Sequence, residues 1–403
     1  MQRSTSPSTR PHPLQMIRLQ YFIYFGVLGI YLPYFNLYCY HIGLSGTQIG
    51  SLSAARSLVL VIFPLLWATL ADRFHSRRRL YVLCSMCAAF TWCLYLTTSA
   101  FLPMFAITVA HGIFFAPLIS FLEAFSMDLL GRARQRYGNI RAWGSVNFIL
   151  VVLLLGRLID IFDIRLILLL ILAGSVVQSI AAMRLPLDAG PKTTPLPGRP
   201  ATLMRLQSVV FLFCGFLMLA SHGAYYGFFS IHLKTLGFSS SFIGISWALA
   251  SVVEILVMIT SGGIFRRFSL DRVLVFSFGA AAFRWMVLYF AHSPWLILLT
   301  QPLHAFTYAA FHMASILYID RLTSERNKTF GQAVNNAVQY GLGLMVGFFL
   351  NGYLYGRIGS FALFAVSSLL ALAGGLIFGG FTLHLRRTGR RSEIESSARY
   401  QDG

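Results

Sequence analysis

Twelve stretches of the chain are long and apolar enough to cross a lipid bilayer, and this feature limits the fold more than any other. A spanning helix needs about 20 mostly apolar residues. The predicted spans are 17–38, 47–70, 80–98, 102–129, 139–160, 164–184, 207–233, 241–264, 272–291, 294–319, 330–354 and 359–385. Hydrophobic residues make up 57% of the chain and charged residues only 11%, which is too apolar for a soluble domain. The alternating pattern of a membrane β-barrel is missing, so we predict an all-α membrane protein.

The placement of the basic residues predicts the orientation in the membrane. A net charge of +19 suggests nucleic acid in a soluble protein, but most of the 32 basic residues lie in alternate loops. Basic residues accumulate in cytoplasmic loops of membrane proteins. We therefore expect a multi-pass protein of the inner (plasma) membrane with both termini cytoplasmic, surrounded by lipid and without a nucleic-acid partner. The cysteines and histidines show no metal-ligand spacing, so we expect no metal and no cofactor. We also expect the protein to be a monomer.

An internal repeat divides the chain into two halves. Residues 29–50 match residues 223–244, and three glycines in each copy lie 194 positions apart: Gly29, Gly43 and Gly50 with Gly223, Gly237 and Gly244. A long linker rich in proline separates the copies. We predict two parallel six-helix bundles at 1–184 and 207–385, a cytoplasmic linker at 185–206 and a basic cytoplasmic tail at 386–403. Two such bundles allow a site between them to open to either side of the membrane.

Several charged residues interrupt the apolar spans. A charge at the bilayer centre costs about 2.5–3.5 kcal/mol, so such residues are functional candidates that face the bundle interior. We expect Glu123 to pair with Arg141, either in a substrate site or as a lock between helices. Glu254 shares a helix face with other polar residues and is a candidate proton carrier, with a structural pair to Arg284 as the alternative.

Other polar residues in the spans are candidates for contact with substrate. Arg56 has no nearby acid and could hold a carboxylate through paired hydrogen bonds, although snorkelling or a structural partner remains open. Tyr225 and Tyr226 could stack on a ring or simply pack. His304 is a candidate proton carrier or a hydrogen-bonded core residue. Asn335 could bind substrate or bridge helices.

The loop after the second span carries a family signature. The segment WATLADRFHSRRR at 67–79 resembles the loop motif of the major facilitator superfamily, with Ala68 and His75 in place of family glycines. The resemblance implies a fold of twelve transmembrane helices. It also implies that Asp72 and Arg73 belong to a loop that gates conformational change and does not bind substrate.

Two narrower resemblances concern function. The segment LEAFSMDLLGRARQRYGNIRAWGSVNF at 122–148 resembles the lactose permease group of sugar:proton symporters, in which the positions of Glu123 and Arg141 belong to the sugar site. Through FFAPL, YGNIRAWGS, HGAYYGF and FRW, nearly the whole chain resembles the bacterial phenylpropionate permease type. That resemblance implies a proton-coupled importer, with anionic aromatic acids as one member's substrate.

The likeness to the lactose permease group also assigns coupling residues and shows departures. Glu254, Arg284 and His304 match charged residues of its eighth, ninth and tenth helices. Thr307 stands where that group has its main proton-coupling glutamate, and Gln301 stands where it has a lysine. Either the coupling has moved to Glu123 or Glu254, or this protein is not proton-coupled.

We therefore predict a secondary transporter that imports a small organic solute together with protons. Three arginines against two glutamates in the spans favour an aromatic or other organic carboxylate over a saccharide. A facilitative uniporter and a non-transporting sensor on the same fold are the alternatives. We do not expect an enzyme, because we find no HExxH, GxSxG or phosphate-binding loop in the sequence.

Overall fold

The structure is a computed structural model that describes residues 13–131, 133, 136–185, 205–324 and 327–388, without the side chain of Thr329. Twelve helical spans cross the molecule. Spans 1 to 6 are Pro13–His41, Gly46–Phe74, Arg77–Cys93, Phe101–Leu130, Tyr137–Ile161 and Leu166–Ala182. Span 7 is Leu206–Ser221 with Gly223–Thr235, span 8 is Ser240–Arg267, and span 9 is Leu270–Phe290. Span 10 comprises Pro294–Thr300, a π-helical turn Ala305–Ala310 and Phe311–Leu322. Span 11 starts with Lys328–Asn336 and a π-helical turn Ala337–Gly343.

Spans 11 and 12 are joined in one long helix. Leu344–Arg387 contains both the end of span 11 and all of span 12, and Gly359 breaks it with a φ of 74°. Glycine adopts such a positive φ without steric cost, so the chain reverses here without a loop. Within the described residues, nine helices are long and apolar enough to cross a membrane, and the one at Phe330–Arg387 covers two spans. The interrupted span 10 and the shorter span 6 complete the twelve.

The internal repeat is visible in the local structure of both halves. Gly43 and Gly237 end spans 1 and 7 with φ values of 87° and 83°. Ser45 and Ser239 follow them and accept hydrogen bonds from backbone N–H groups in the first turns of spans 2 and 8. Serine is a preferred N-cap for this reason. The same turn chemistry therefore starts the second helix of each half.

The two halves contact each other at the end opposite the chain termini, which we call the outer end. Tyr34 donates to the carbonyl of Ser240 at 3.3 Å, and Asn36 donates to the carbonyl of Gly227 at 2.9 Å. At Gly50, a Cβ would lie 2.5 Å from the carbonyl oxygen of Phe348. Side chains larger than hydrogen are therefore excluded where spans 2 and 11 cross, and the outer end is closed.

The end that carries both termini, the inner end, is open. Among the described residues, every hydrogen bond between the halves lies at the outer end. Around Gly138 in span 5 and Gly262 in span 8, no atom lies within 4 Å of an added Cβ. Trp143 on span 5 is 48% exposed. Because the hydrogen bonds between the halves in the described residues are confined to the outer end, we infer that the halves diverge toward the inner end and leave a central cavity between them.

Some predicted segments lie largely outside the described residues. Of the linker at 185–206, only its two ends are described, and of the tail at 386–403 only the first three residues. Arg132 and Arg134, two of the basic residues between Glu123 and Arg141, also lie outside. The domain boundaries at these places remain predictions.

Candidate functional site

Arg284 on span 9 forms the centre of a buried polar cluster in the second half. Its side chain is fully buried. Nε donates to the carbonyl oxygen of Thr300 at 3.0 Å, one terminal nitrogen lies 2.9 Å from Nδ1 of His304, and the other donates to Oε1 of Gln301 at 3.2 Å. A guanidinium is always charged and offers five donors, so this charge is held by neutral acceptors from span 10.

The interruption of span 10 creates one of these acceptors. Pro302 has no backbone N–H and disfavours a continuous helix. The N–H of His304 donates to the carbonyl of Gln301 at 2.9 Å, whereas in a regular helix it would donate to Thr300. The Thr300 carbonyl is therefore available for Arg284. Discontinuous helices at the middle of transporters commonly supply such backbone groups to a site.

The aromatic residues of span 7 lie on two sides of this cluster. The guanidinium carbon of Arg284 lies 4.3 Å from the ring centroid of Tyr225. Tyr225 is fully buried and donates to Gln301 at 3.0 Å, so it lies behind the cluster and orients Arg284. Tyr226 is half-buried, and its hydroxyl lies 3.3 Å from Nε2 of His304. Of the two predicted tyrosines, Tyr226 is the more exposed.

His304 connects Arg284 to Glu254 on span 8. Because Arg284 can only donate, Nδ1 of His304 must accept, and the neutral ring then carries its hydrogen on Nε2. Nε2 lies 3.6 Å from Oε2 of Glu254. The sequence-based alternative, a direct pair between Glu254 and Arg284, is therefore replaced by an arrangement with the imidazole in between.

Glu254 faces the cavity between the halves. Its side chain is 22% exposed, compared with 5% for His304. Arg141 of the first half is exposed and lies within electrostatic range of Glu254 and of Tyr308 and His312 of span 10. An arginine of one half and the carboxylate of the other are therefore near each other.

The expected ion pair between Glu123 and Arg141 is not formed in the described part of the chain. Instead the hydroxyl of Tyr137 donates to Oε1 of Glu123 at 3.3 Å. Arg141 lies one turn after Tyr137 on the same face of span 5, and its guanidinium carbon is 5.7 Å from the ring centroid of Phe25. The carboxylate of Glu123 therefore accepts from a tyrosine of span 5, while Arg141 packs against Phe25 of span 1.

Arg56 on span 2 is half-buried beside span 1. Its guanidinium carbon lies 3.9 Å from the ring centroid of Tyr31, which is the geometry of a cation–π contact. No hydrogen bond or ion pair joins Arg56 to another described residue. Its donors are therefore available to a ligand.

Asn335 is less accessible than its predicted role in substrate binding requires. It is 1% exposed, its Nδ2 donates to Ser315 at 3.3 Å, and its Oδ1 accepts from Gln339 at 2.7 Å. These contacts join spans 10 and 11. The geometry supports the bridging role over the binding role.

The predicted gating loop forms ion pairs within the first half. Arg77 lies 3.0 Å from Asp72 and 3.2 Å from Asp128 of span 4, while Arg73 is exposed. The loop signature thus ties the inner ends of spans 2, 3 and 4 together. Its predicted role in gating remains a prediction.

Three parts of the site were not assigned from the sequence. Tyr31 and Tyr137 meet charged residues of other spans, and one-dimensional spacing gives no signal for such contacts. The interruption of span 10 did have a signal, because Pro302 follows a glutamine in the middle of an apolar run. The described residues contain no group of three or more potential metal ligands.

Comparisons with known proteins identify the family of the chain. The model of the MFS_1-like family matches residues 14–366. The chain is 31% identical over 373 residues to the probable 3-phenylpropionic acid transporter of Escherichia coli (strain K12), covering 88% of this chain and 94% of that protein. It is 25% identical over 370 residues to the maltose permease of Geobacillus stearothermophilus, covering 89% and 92%.

Solved structures agree with the fold. The crystal structure of the nucleoside transporter NupG superposes with a TM-score of 0.80 at 18% identity, covering 92% of this chain and 99% of that one. An identity this low supports the fold alone. With the family match and the sequence relatives, the chain is a multi-pass membrane transporter of a small molecule and not an enzyme. It belongs to the MFS_1-like family of the major facilitator superfamily.

Proposed function

We propose that the protein is a proton-coupled symporter that imports a small organic solute, an aromatic or other organic carboxylate in preference to a saccharide. It acts as a monomer in the inner (plasma) membrane with both termini cytoplasmic. In that orientation the described state is open to the cytoplasm and closed to the outside. The relative at 31% identity, described as a probable 3-phenylpropionic acid transporter, supports the choice of an aromatic acid.

The observation that carries the proposal is the position of Glu254 between the cavity and the pair of His304 and Arg284. A carboxyl group there can take a proton from water in the cavity and can release it again. His304 Nε2, 3.6 Å away, stabilises the ionised form. Glu254 is thus a proton carrier whose charge is adjusted by its neighbours and by the contents of the cavity.

The same geometry makes His304 a poor proton carrier. Nδ1 of its ring already accepts from Arg284 at 2.9 Å. A second proton on the imidazole would have to displace Arg284 and would put two positive charges side by side. Glu254, rather than His304, is therefore assigned the transported proton, and Arg284 with His304 holds it in place.

Arg141 supplies a connection between the proton and the solute. Its charge acts on Glu254 from the opposite half, and it lies at the cavity surface. An anionic solute in the cavity weakens the attraction between Arg141 and Glu254, which favours a proton on Glu254. Binding of the solute and of the proton then assist each other, as symport requires.

Transport in proteoliposomes tests the proposal. Purified protein is reconstituted, a pH gradient with an acidic exterior is imposed, and uptake of labelled 3-phenylpropionate, a saccharide and a nucleoside is measured against protein-free liposomes. A symporter of carboxylates accumulates the acid above equilibrium, beyond its passive entry. A facilitative uniporter brings a solute only to equilibrium whatever the gradient. A non-transporting sensor moves none of the solutes.

A further inference from the structure

Arg56, Tyr31 and His111 lie together in the first half, and the proton site described above uses none of them. Arg56 comes from span 2, Tyr31 from span 1 and His111 from span 4. Arg56 stacks on Tyr31 at 3.9 Å. Tyr31 and His111 both lie against Trp92, with ring centroids 5.9 Å and 5.1 Å from it. Three spans thus converge on one group of polar side chains.

The stacking of Arg56 leaves its hydrogen-bonding edge unused. A guanidinium that lies over an aromatic ring presents its face to the ring and its five N–H groups in its own plane. In the described part of the chain, Arg56 has no hydrogen bond and no acidic partner. A half-buried cation without either is unusual within a membrane, and the planar fork of donors matches a carboxylate.

His111 gives independent support. It is 4% exposed, and its Nε2 is buried without a hydrogen-bond partner among the described residues. Its ring is fixed by an edge contact with Trp92 at 5.1 Å and by stacking on Phe115 at 5.1 Å. An imidazole carries at least one N–H in any protonation state, and burying a polar group without a partner is costly. The ring is held in place with hydrogen-bonding capacity left over.

We propose that Arg56, Tyr31 and His111 form a subsite that binds the negatively charged group of the substrate, an organic carboxylate. Arg56 donates to both carboxylate oxygens, Tyr31 holds the guanidinium plane, and His111 provides a further hydrogen bond. The proposal rests on the proposed transport function and adds the substrate's charge class and the residues that recognise it. It also divides the work between the halves, with the anion in the first and the proton in the second.

The division explains why Arg284 does not serve as the anion site. Arg284 is fully buried, and its nitrogens are occupied by Thr300, Gln301 and His304. Arg141 is exposed, and the proposed function assigns it to the coupling with Glu254. Arg56 alone among these three combines partial burial with unoccupied donors in the described residues.

Binding of acids and their matched amides tests the proposal. The purified protein is titrated with 3-phenylpropionate, cinnamate and benzoate and with the corresponding primary amides, and binding is followed by calorimetry. An amide keeps the size of the acid and loses its charge. We expect the wild-type protein to prefer at least one acid over its amide by about tenfold or more, as paired hydrogen bonds to a charged group are stronger than neutral ones.

Substitutions then locate the preference. Arg56→Gln is expected to reduce the acid-to-amide ratio to about one, and Arg56→Lys to keep only part of it because an ammonium lacks the planar fork. His111→Phe keeps the ring between Trp92 and Phe115 and is expected to lower the ratio severalfold. Arg165→Gln makes the same charge change on an exposed arginine in the loop between spans 5 and 6 and should leave the ratio unchanged.

Three outcomes overturn the proposal. The first is that no acid in the panel binds. If saccharides or nucleosides are nevertheless transported, the protein is a transporter without a carboxylate subsite. The second is an unchanged ratio in Arg56→Gln, measured on protein that remains folded by circular dichroism. The third is a ratio that Arg141→Gln abolishes and Arg56→Gln does not, which would move the anion site to Arg141.

Discussion

Asp160, at the end of span 5, accepts hydrogen bonds from the backbone N–H of Ser241 at 2.9 Å and from its hydroxyl at 2.6 Å. It also accepts from the N–H of Ser240 at 2.7 Å. A carboxylate of the first half thus caps the N-terminus of span 8 in the second half. A negative charge stabilises a helix N-terminus, and this contact joins the two halves at the closed outer end.

Asp160→Asn should therefore shift the protein toward the outer-open state. The charged cap at this exposed position contributes about 1 kcal/mol, so the ratio of outer-open to outer-closed molecules should rise about fivefold. The measurement is the spin-label distance between Ser99→Cys and Ser293→Cys, at the outer ends of the two halves, with the five native cysteines replaced.

Asp163→Asn is the matched control for this change. Asp163 accepts from the backbone N–H of Arg165 at 2.7 Å within its own loop and forms no hydrogen bond or ion pair with the other half in the described residues. Its substitution should leave the distance distribution as in the wild type. Equal effects of the two substitutions would show that Asp160 is not a latch between the halves.

Gly50→Ala should also favour the outer-open state, through sterics instead of charge. An alanine Cβ would lie 2.5 Å from the carbonyl oxygen of Phe348 and 2.8 Å from Cα of Gly352, so spans 2 and 11 must separate. The same pair of spin labels should report longer distances. Gly279→Ala, at a glycine with no atom within 4 Å of an added Cβ, should not, and similar distances in both variants would contradict the close crossing.

Arg284→Met should destabilise the protein. Methionine fills a similar volume but offers no donor, so the buried carbonyl of Thr300 loses its partner, at a cost of about 1–3 kcal/mol. A thermal unfolding scan in detergent should show a lower Tm. Arg357→Ala, which removes an exposed arginine that donates within its own helix to Tyr353, should change the Tm little. A Tm of Arg284→Met at or above the wild-type value would mean that this cluster does not organise span 10.

The sequence allowed the spans and the repeat to be predicted because both depend on local patterns. Apolar length located the twelve spans, and Gly43 and Gly237 marked equivalent turns that the structure confirms. The contacts of the charged residues could not be predicted in this way. Glu123 and Arg141 lie on consecutive spans, and the sequence suggested that they pair. In the structure Tyr137 donates to the carboxylate of Glu123 instead, because the rotation of the two helices about their axes decides which side chains meet.

For the candidate site, the sequence likewise indicated which residues belong to it but not how they contact each other. Glu254, Arg284 and His304 were identified as a group, but their order, with the imidazole between cation and carboxylate, depends on the interruption of span 10. Tyr31 and His111 had no signal, because an aromatic residue in an apolar helix is usually a packing residue. Only the convergence of three spans on Arg56 distinguishes them.

The central claim is that Glu254 carries the transported proton. A comparison of solute accumulation with solute exchange in the Glu254→Gln protein tests it most directly. Glutamine has the size of a protonated glutamate and cannot release a proton. Proteoliposomes with this variant should lose accumulation of solute driven by a pH gradient, while exchange of labelled for unlabelled solute, which needs no net proton movement, should continue near the wild-type rate. Accumulation that persists in Glu254→Gln would contradict the assignment of the transported proton to Glu254.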